Sequence, residues 1–121
     1  MVATEGRPRR NEVLKEVLKD GLALEFAGDF KGDREIVLAS VKQNGMALEW
    51  TTGKLQSDRH VVLEAVTQSG QALQHAAPGC RCDPEIVLAA VRNSGLALRY
   101  GGDLCQNDSE IVLAAVREDE R

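Results

Sequence analysis

The sequence predicts an all-α protein, a short helical-repeat solenoid of stacked helix pairs with a 25-residue period. Three observations carry that expectation. An aspartate recurs at Asp33, Asp58, Asp83 and Asp108, each 25 residues after the one before. Each opens nearly the same phrase: DREIVLASVKQNG, DRHVVLEAVTQSG, DPEIVLAAVRNSG and DSEIVLAAVRE. A glycine-led phrase then follows in step as GMALEW, GQALQH and GLALRY. Self-similarity at a fixed short period marks a stacked-repeat architecture, in which each unit covers the apolar face of its neighbour.

Taken in order, residues 1–10 (MVATEGRPRR) read as a basic, disordered arm. Residues 11–32 read as a degenerate first unit, in which Gly21 aligns with Gly45 and Phe26 with Trp50. Its Lys15 and Lys19 stand where later units are apolar or neutral, as expected of a capping repeat with one solvated face. Units 33–57, 58–82 and 83–107 are complete. A half unit, 108–117, and a charged tail, 118–121, close a single repeat domain of residues 11–117.

Within a unit the aspartate is a helix N-cap, its carboxylate accepting from the free N–H groups of the first turn and suiting the positive end of the dipole. Glu35, Glu85 and Glu110 follow two residues later and add to that charge, and Pro84 occupies the first helical position, where no N–H is needed. The run Ile36, Val37, Leu38, Ser40, Val41 is apolar or small on most sides, the pattern of a helix packed between neighbours. Gly45, Gly70 and Gly95 follow Asn44, Ser69 and Ser94 and are expected to end the helix as left-handed caps. A second short helix comes next, with Ala–Leu pairs at 47–48, 72–73 and 97–98. It ends at Gly53, Pro78-Gly79 and Gly101-Gly102. So short a helix depends on packing for its stability.

These phrases resemble the family known as domain of unknown function 4116, whose members carry tandem copies of a pattern like D-x-E-I-V-L-A-A-V-x-x-x-G-x-A-L. The resemblance covers roughly residues 11–117, and DPEIVLAAVRNSGLAL, from Asp83 to Leu98, follows the pattern almost letter for letter. It implies a repeat fold and brings no catalytic or binding residues with it. Glu64 in place of alanine, His75 at the aromatic position and two cysteines at a leucine position depart from the pattern.

A net charge of −4, with the acidity concentrated in the C-terminal half, provides no basic field for a phosphate backbone, so nucleic acid is not an expected partner. There is no stretch of membrane-spanning length, and the N-terminal segment lacks the apolar core of a secretory signal. Three cysteines, an odd number, argue against a secreted disulfide framework and favour an intracellular, reducing compartment.

His75, Cys80, Cys82 and Cys105 form a Cys3His set by composition, and zinc accepts those ligand types. Register argues otherwise. Phe30, Leu55, Cys80 and Cys105 all stand three residues before a repeat aspartate, so two of the cysteines fill an apolar slot as small buried hydrophobes. His75 shares the slot of Phe26, Trp50 and Tyr100, whose rings read as wedges between units or as an exposed ladder. Phosphate loop, nucleophile elbow and zinc-helix motifs are absent, and no cofactor is expected. A non-catalytic protein–protein interaction module is therefore expected, its partner contacted by residues that differ between copies: Arg34, Lys42, Glu49, Arg59, Thr67, Gln74, Arg92 and Arg99. The alternative is a structural subunit, or a piece of a longer array, that self-associates through the C-terminal half unit.

Overall fold

In the computed structural model, which describes residues 9–119, every repeat aspartate begins a helix. Asp33 accepts from the N–H groups of Glu35 and Ile36 at 3.1 and 3.3 Å. Asp58, Asp83 and Asp108 repeat this pair of bonds at the same offsets. The α-helices run in chain order as α1 (Arg10–Lys19), α2 (Arg34–Gln43), α3 (Gly53–Gln56), α4 (Arg59–Gln68), α5 (Pro78–Arg81), α6 (Pro84–Asn93), α7 (Asp103–Gln106) and α8 (Ser109–Asp119). The glycine-led phrases are 3-10 helices, Gly21–Phe26, Gly45–Trp50, Gly70–His75 and Gly95–Tyr100. Among the described residues every regular element is helical.

The five long helices pack side by side in sequence order, α1 on α2, α2 on α4, α4 on α6 and α6 on α8. The 3-10 segments form a second row, each lying against its own long helix and the long helix of the next unit. This gives the stacked pair expected from the sequence. The Gly and Pro phrases expected only to end the second helix instead start a third segment, the one-turn helices α3, α5 and α7. In the first unit a 3-10 turn, Gly28–Gly32, takes that place. One main-chain bond per junction joins the third segments to the next unit: Thr52 N–H to Lys31 C=O (3.2 Å), Ala77 to Gln56 (2.9 Å) and Gly102 to Arg81 (2.8 Å).

The core runs the length of the array. Ile36, Val37, Val41 and Leu48 are fully buried, as are Val61, Val62, Val66 and Leu73 in the next unit. Packing of this kind, repeated from unit to unit, supplies what a six-residue 3-10 segment cannot supply alone.

The glycine caps are corrected. Asn44, Ser69 and Ser94 end their helices in extended conformation, with φ of −153, −148 and −150°, and the sole positive φ among the described residues is at Gly28. Close approach explains the glycines instead. A Cβ on Gly45 would run into the Ala65 carbonyl oxygen of the next unit's helix, and one on Gly70 into that of Ala90. Gly21 meets the Ser40 carbonyl in the same way, and there the Ser40 hydroxyl donates to the Gly21 carbonyl.

Arg10, assigned to the arm by sequence, is the first residue of α1, and α8 continues to Asp119. Residues 1–8 of the expected arm and residues 120 and 121 of the expected tail lie outside the described residues.

Candidate functional site

All eight candidate interaction residues are exposed, but they are not equivalent. Arg34 and Arg59, one residue past the cap, belong to a ladder that ties each unit to the next. Arg34 Nε donates to Asp58 at 2.7 Å; Arg59 donates to Asp83 at 2.9 Å and to Glu85 at 2.6 Å. Arg10 begins the series, donating to Asp33 at 2.7 Å and Glu35 at 2.6 Å. Pro84 takes the next such position and has no side-chain donor for Asp108.

The same aspartates thus cap a helix and accept an arginine from the unit before. The hydrogen bond from Arg10 holds the Asp33 carboxyl below the usual carboxylate range against partial burial, and Arg34 does the same for Asp58. At Asp83 burial pushes upward most strongly, yet Arg59 and the N–H groups of Ile86 and Glu85 together outweigh it. A lowered carboxyl pKa contributes stability that is present above the unfolded value, about 3.9, and is lost as pH falls through the folded value. The array is therefore expected to lose stability progressively below about pH 4. In the double variant Arg34→Ala, Arg59→Ala the urea midpoint should fall at pH 7, and its gap to the natural chain should narrow by pH 2 as the carboxylates take up protons. An equal gap at both pH values would show that the ladder's charge plays no part.

The other six candidates lie along two further lines. Lys42, Thr67 and Arg92 stand near the ends of α2, α4 and α6, each one turn after a leucine (Leu38, Leu63, Leu88) and so on the same helix face. Glu49, Gln74 and Arg99 occupy one position of the 3-10 row. Among the described residues neither Arg92, Arg99 nor Arg117 joins an ion pair.

Cys80 and Cys105 are buried on α5 and α7 in the slot Leu55 fills on α3. Their thiols lie 3.6 Å from the Ser57 carbonyl and 3.8 Å from that of Cys82, and burial pushes both upward in pKa. Cys82 is exposed and all three are free. His75 is half-buried, and the four residues do not converge: among the described residues no group of three or more His, Cys, Asp or Glu could hold a metal. The aromatic positions are unequal too. Phe26 is 80% exposed, whereas Trp50 and Tyr100 are partly buried against the core. The Lys31 ammonium lies 5.9 Å above the Trp50 ring.

The two ends of the array differ. Glu12 and Glu16 of α1 hold the positions that Ile36 and Ser40 hold in α2, so the first unit turns a charged face outward. At the other end Val116 is 46% exposed, although Val41, Val66 and Val91 at the same position are fully buried.

Fold and surface together define an all-α helical-repeat protein. A family model matches residues 12–56, 33–81 and 83–121 in three tandem segments, and the chain belongs to that family, the domain of unknown function DUF4116. No curated protein and no solved structure matches the chain. Among the described residues no helix is long and apolar enough to cross a membrane.

Proposed function

We propose that the chain is a non-catalytic helical-repeat module that mediates protein–protein interaction. One observation carries this reading: the recurring aspartates, valines and glycines serve as caps, core and close contacts, while Lys42, Thr67 and Arg92 on the long helices and Glu49, Gln74 and Arg99 on the 3-10 row differ between units and lie on the surface. Repeat proteins of this build offer an extended, rigid face whose specificity resides in such positions. The three free cysteines support an intracellular, reducing compartment.

Alanine at Lys42, Glu49, Thr67, Gln74, Arg92 and Arg99 together tests it, with Arg34 and Arg59 left in place because they hold units together. Partner recovery from native cells is expected to collapse while the helical signal is kept. Unchanged recovery would overturn the proposal.

A second reading is supported by the exposed Val116 face: two copies associate through their C-terminal ends. Stacking one copy's C-terminal end on another's first unit is disfavoured, since it would bury Glu12 and Glu16 where interior units place Ile or Val and Ser or Ala. Light scattering should then give a dimer that Val116→Glu converts to monomer; a monomer for the natural chain at every concentration would remove this reading.

A further inference from the structure

We propose that the groove between the segment Gly95–Tyr100 and α8 binds a short segment of a partner protein carrying an Ala–Leu pair in a 3-10 turn, an assignment that rests on the protein-binding reading above. The groove, of about 400 Å³, is lined by Gly95, Leu96, Leu98, Arg99, Gln106 and Val112. Two units earlier the same positions hold Gly45, Met46, Leu48, Glu49, Gln56 and Val62. There the chain's own Gly70–His75 lies against both walls, the segment Gly45–Trp50 and α4.

Burial identifies what the last groove lacks. Gly45, Leu48 and Val62 are buried, whereas Gly95, Leu98 and Val112 are only partly so, and Leu96 is 53% exposed. The two leucines differ in one neighbour. Gly45–Trp50 and Gly95–Tyr100 each pack on their own long helix, on the long helix of the next unit and on the preceding 3-10 segment. Among the described residues only the first also has a following 3-10 segment. A 3-10 turn is therefore the shape that completes the groove, in continuity with the row already formed by the other four.

The occupied groove gives the chemistry of the occupant. Ala72 and Leu73 are both fully buried, the small residue allowing close approach and the leucine supplying apolar area. Ala76, three residues after the leucine, is buried as well. The next N–H, that of Ala77, donates to the Gln56 carbonyl at 2.9 Å. The counterpart of that acceptor, the Gln106 carbonyl, has no donor among the described residues. The Gln106 side chain is held as in the earlier unit: its Nε2 donates to the Gly101 carbonyl at 2.9 Å, as Gln56 Nε2 does to that of Thr51 at 3.4 Å. The partner segment thus reads Ala-Leu-x-x-small-x, with any residue but proline last, because that position must supply an N–H.

The test uses the full chain, isotope-labelled, and a synthetic peptide of its own residues 69–78, SGQALQHAAP. The peptide should shift the amide signals of residues 95–99, 106 and 112. Replacing its leucine by aspartate, or methylating the main-chain nitrogen that matches Ala77, should each weaken binding roughly tenfold. In the protein Leu96→Glu should do the same, whereas Leu96→Met, which copies the occupied groove, should leave binding unchanged. Leu96 is exposed, and an unchanged circular dichroism spectrum verifies the fold. Absence of binding by the parent peptide, shifts elsewhere on the array, or indifference to N-methylation would each overturn the groove assignment. A dimer by light scattering that excludes the peptide would overturn it too, giving this end to a second copy. The protein-binding reading fails separately, by the partner-recovery experiment with the six alanines.

Discussion

Gly70→Val is expected to destabilise the array by roughly 1–3 kcal/mol, the range for forcing extra atoms into a packed interior, and to lower the melting temperature by about 5–10 °C. Gly70 is buried, and its missing side chain is the space in which the Ala90 carbonyl of the next unit sits, with the Ala90 carbonyl carbon 3.2 Å and the Ser94 Cβ 3.3 Å from where a Cβ would be. These are mostly backbone atoms of a neighbouring helix, so relief requires moving one unit against the next. Gly53→Ala is the matched control. Gly53 is exposed at the start of α3 with no atom within 4 Å of its would-be Cβ, and alanine there should be neutral or stabilising by up to about 1 kcal/mol. Thermal melts of both variants decide the point, and matching values would remove close approach as the reason for the glycine.

Leu73→Ala should cost about 2–5 kcal/mol, the range for deleting a fully buried leucine from a core. Leu73 is fully buried between α4 and α6, whereas Leu98, its equivalent one unit on, is only partly covered. Leu98→Ala should therefore cost distinctly less, although the side chain and its place in the unit are the same. Guanidinium unfolding measures both. Equal losses would mean that the last unit is packed as fully as the interior ones.

The repeat, the caps and the core face were legible from the sequence because each depends on short-range offsets. An aspartate two or three residues before the N–H groups it caps, or Val37 and Val41 one turn apart, can be read within one unit. What escaped depends on offsets longer than a unit's own helix. Arg34 opposite Asp58 and Arg59 opposite Asp83 become visible only when each arginine is asked what lies 24 residues further on. The glycines misled for a related reason. Gly45 after a small polar residue fits a local cap, and the carbonyl that excludes a side chain there belongs to Ala65, on another helix. The one-turn helices α3, α5 and α7 are too short to show periodicity, and they begin with residues that ordinarily mark loops. Of the candidate surface, exposure was legible. The commitment of Arg34 and Arg59 within the array was not.

The main-chain bonds at Thr52, Ala77 and Gly102 join chemically identical partners at the same offset, and the arginine ladder reads Asp58 and Asp83 with the arginine of the unit before. Every interior junction thus has the same plug and the same socket. Removing residues 58–82 would leave Arg34 facing Asp83 and Gly45 facing Ala90, with both fittings intact. A chain built this way can gain or lose whole units by duplication or deletion without redesigning a junction, while its outward residues are free to diverge.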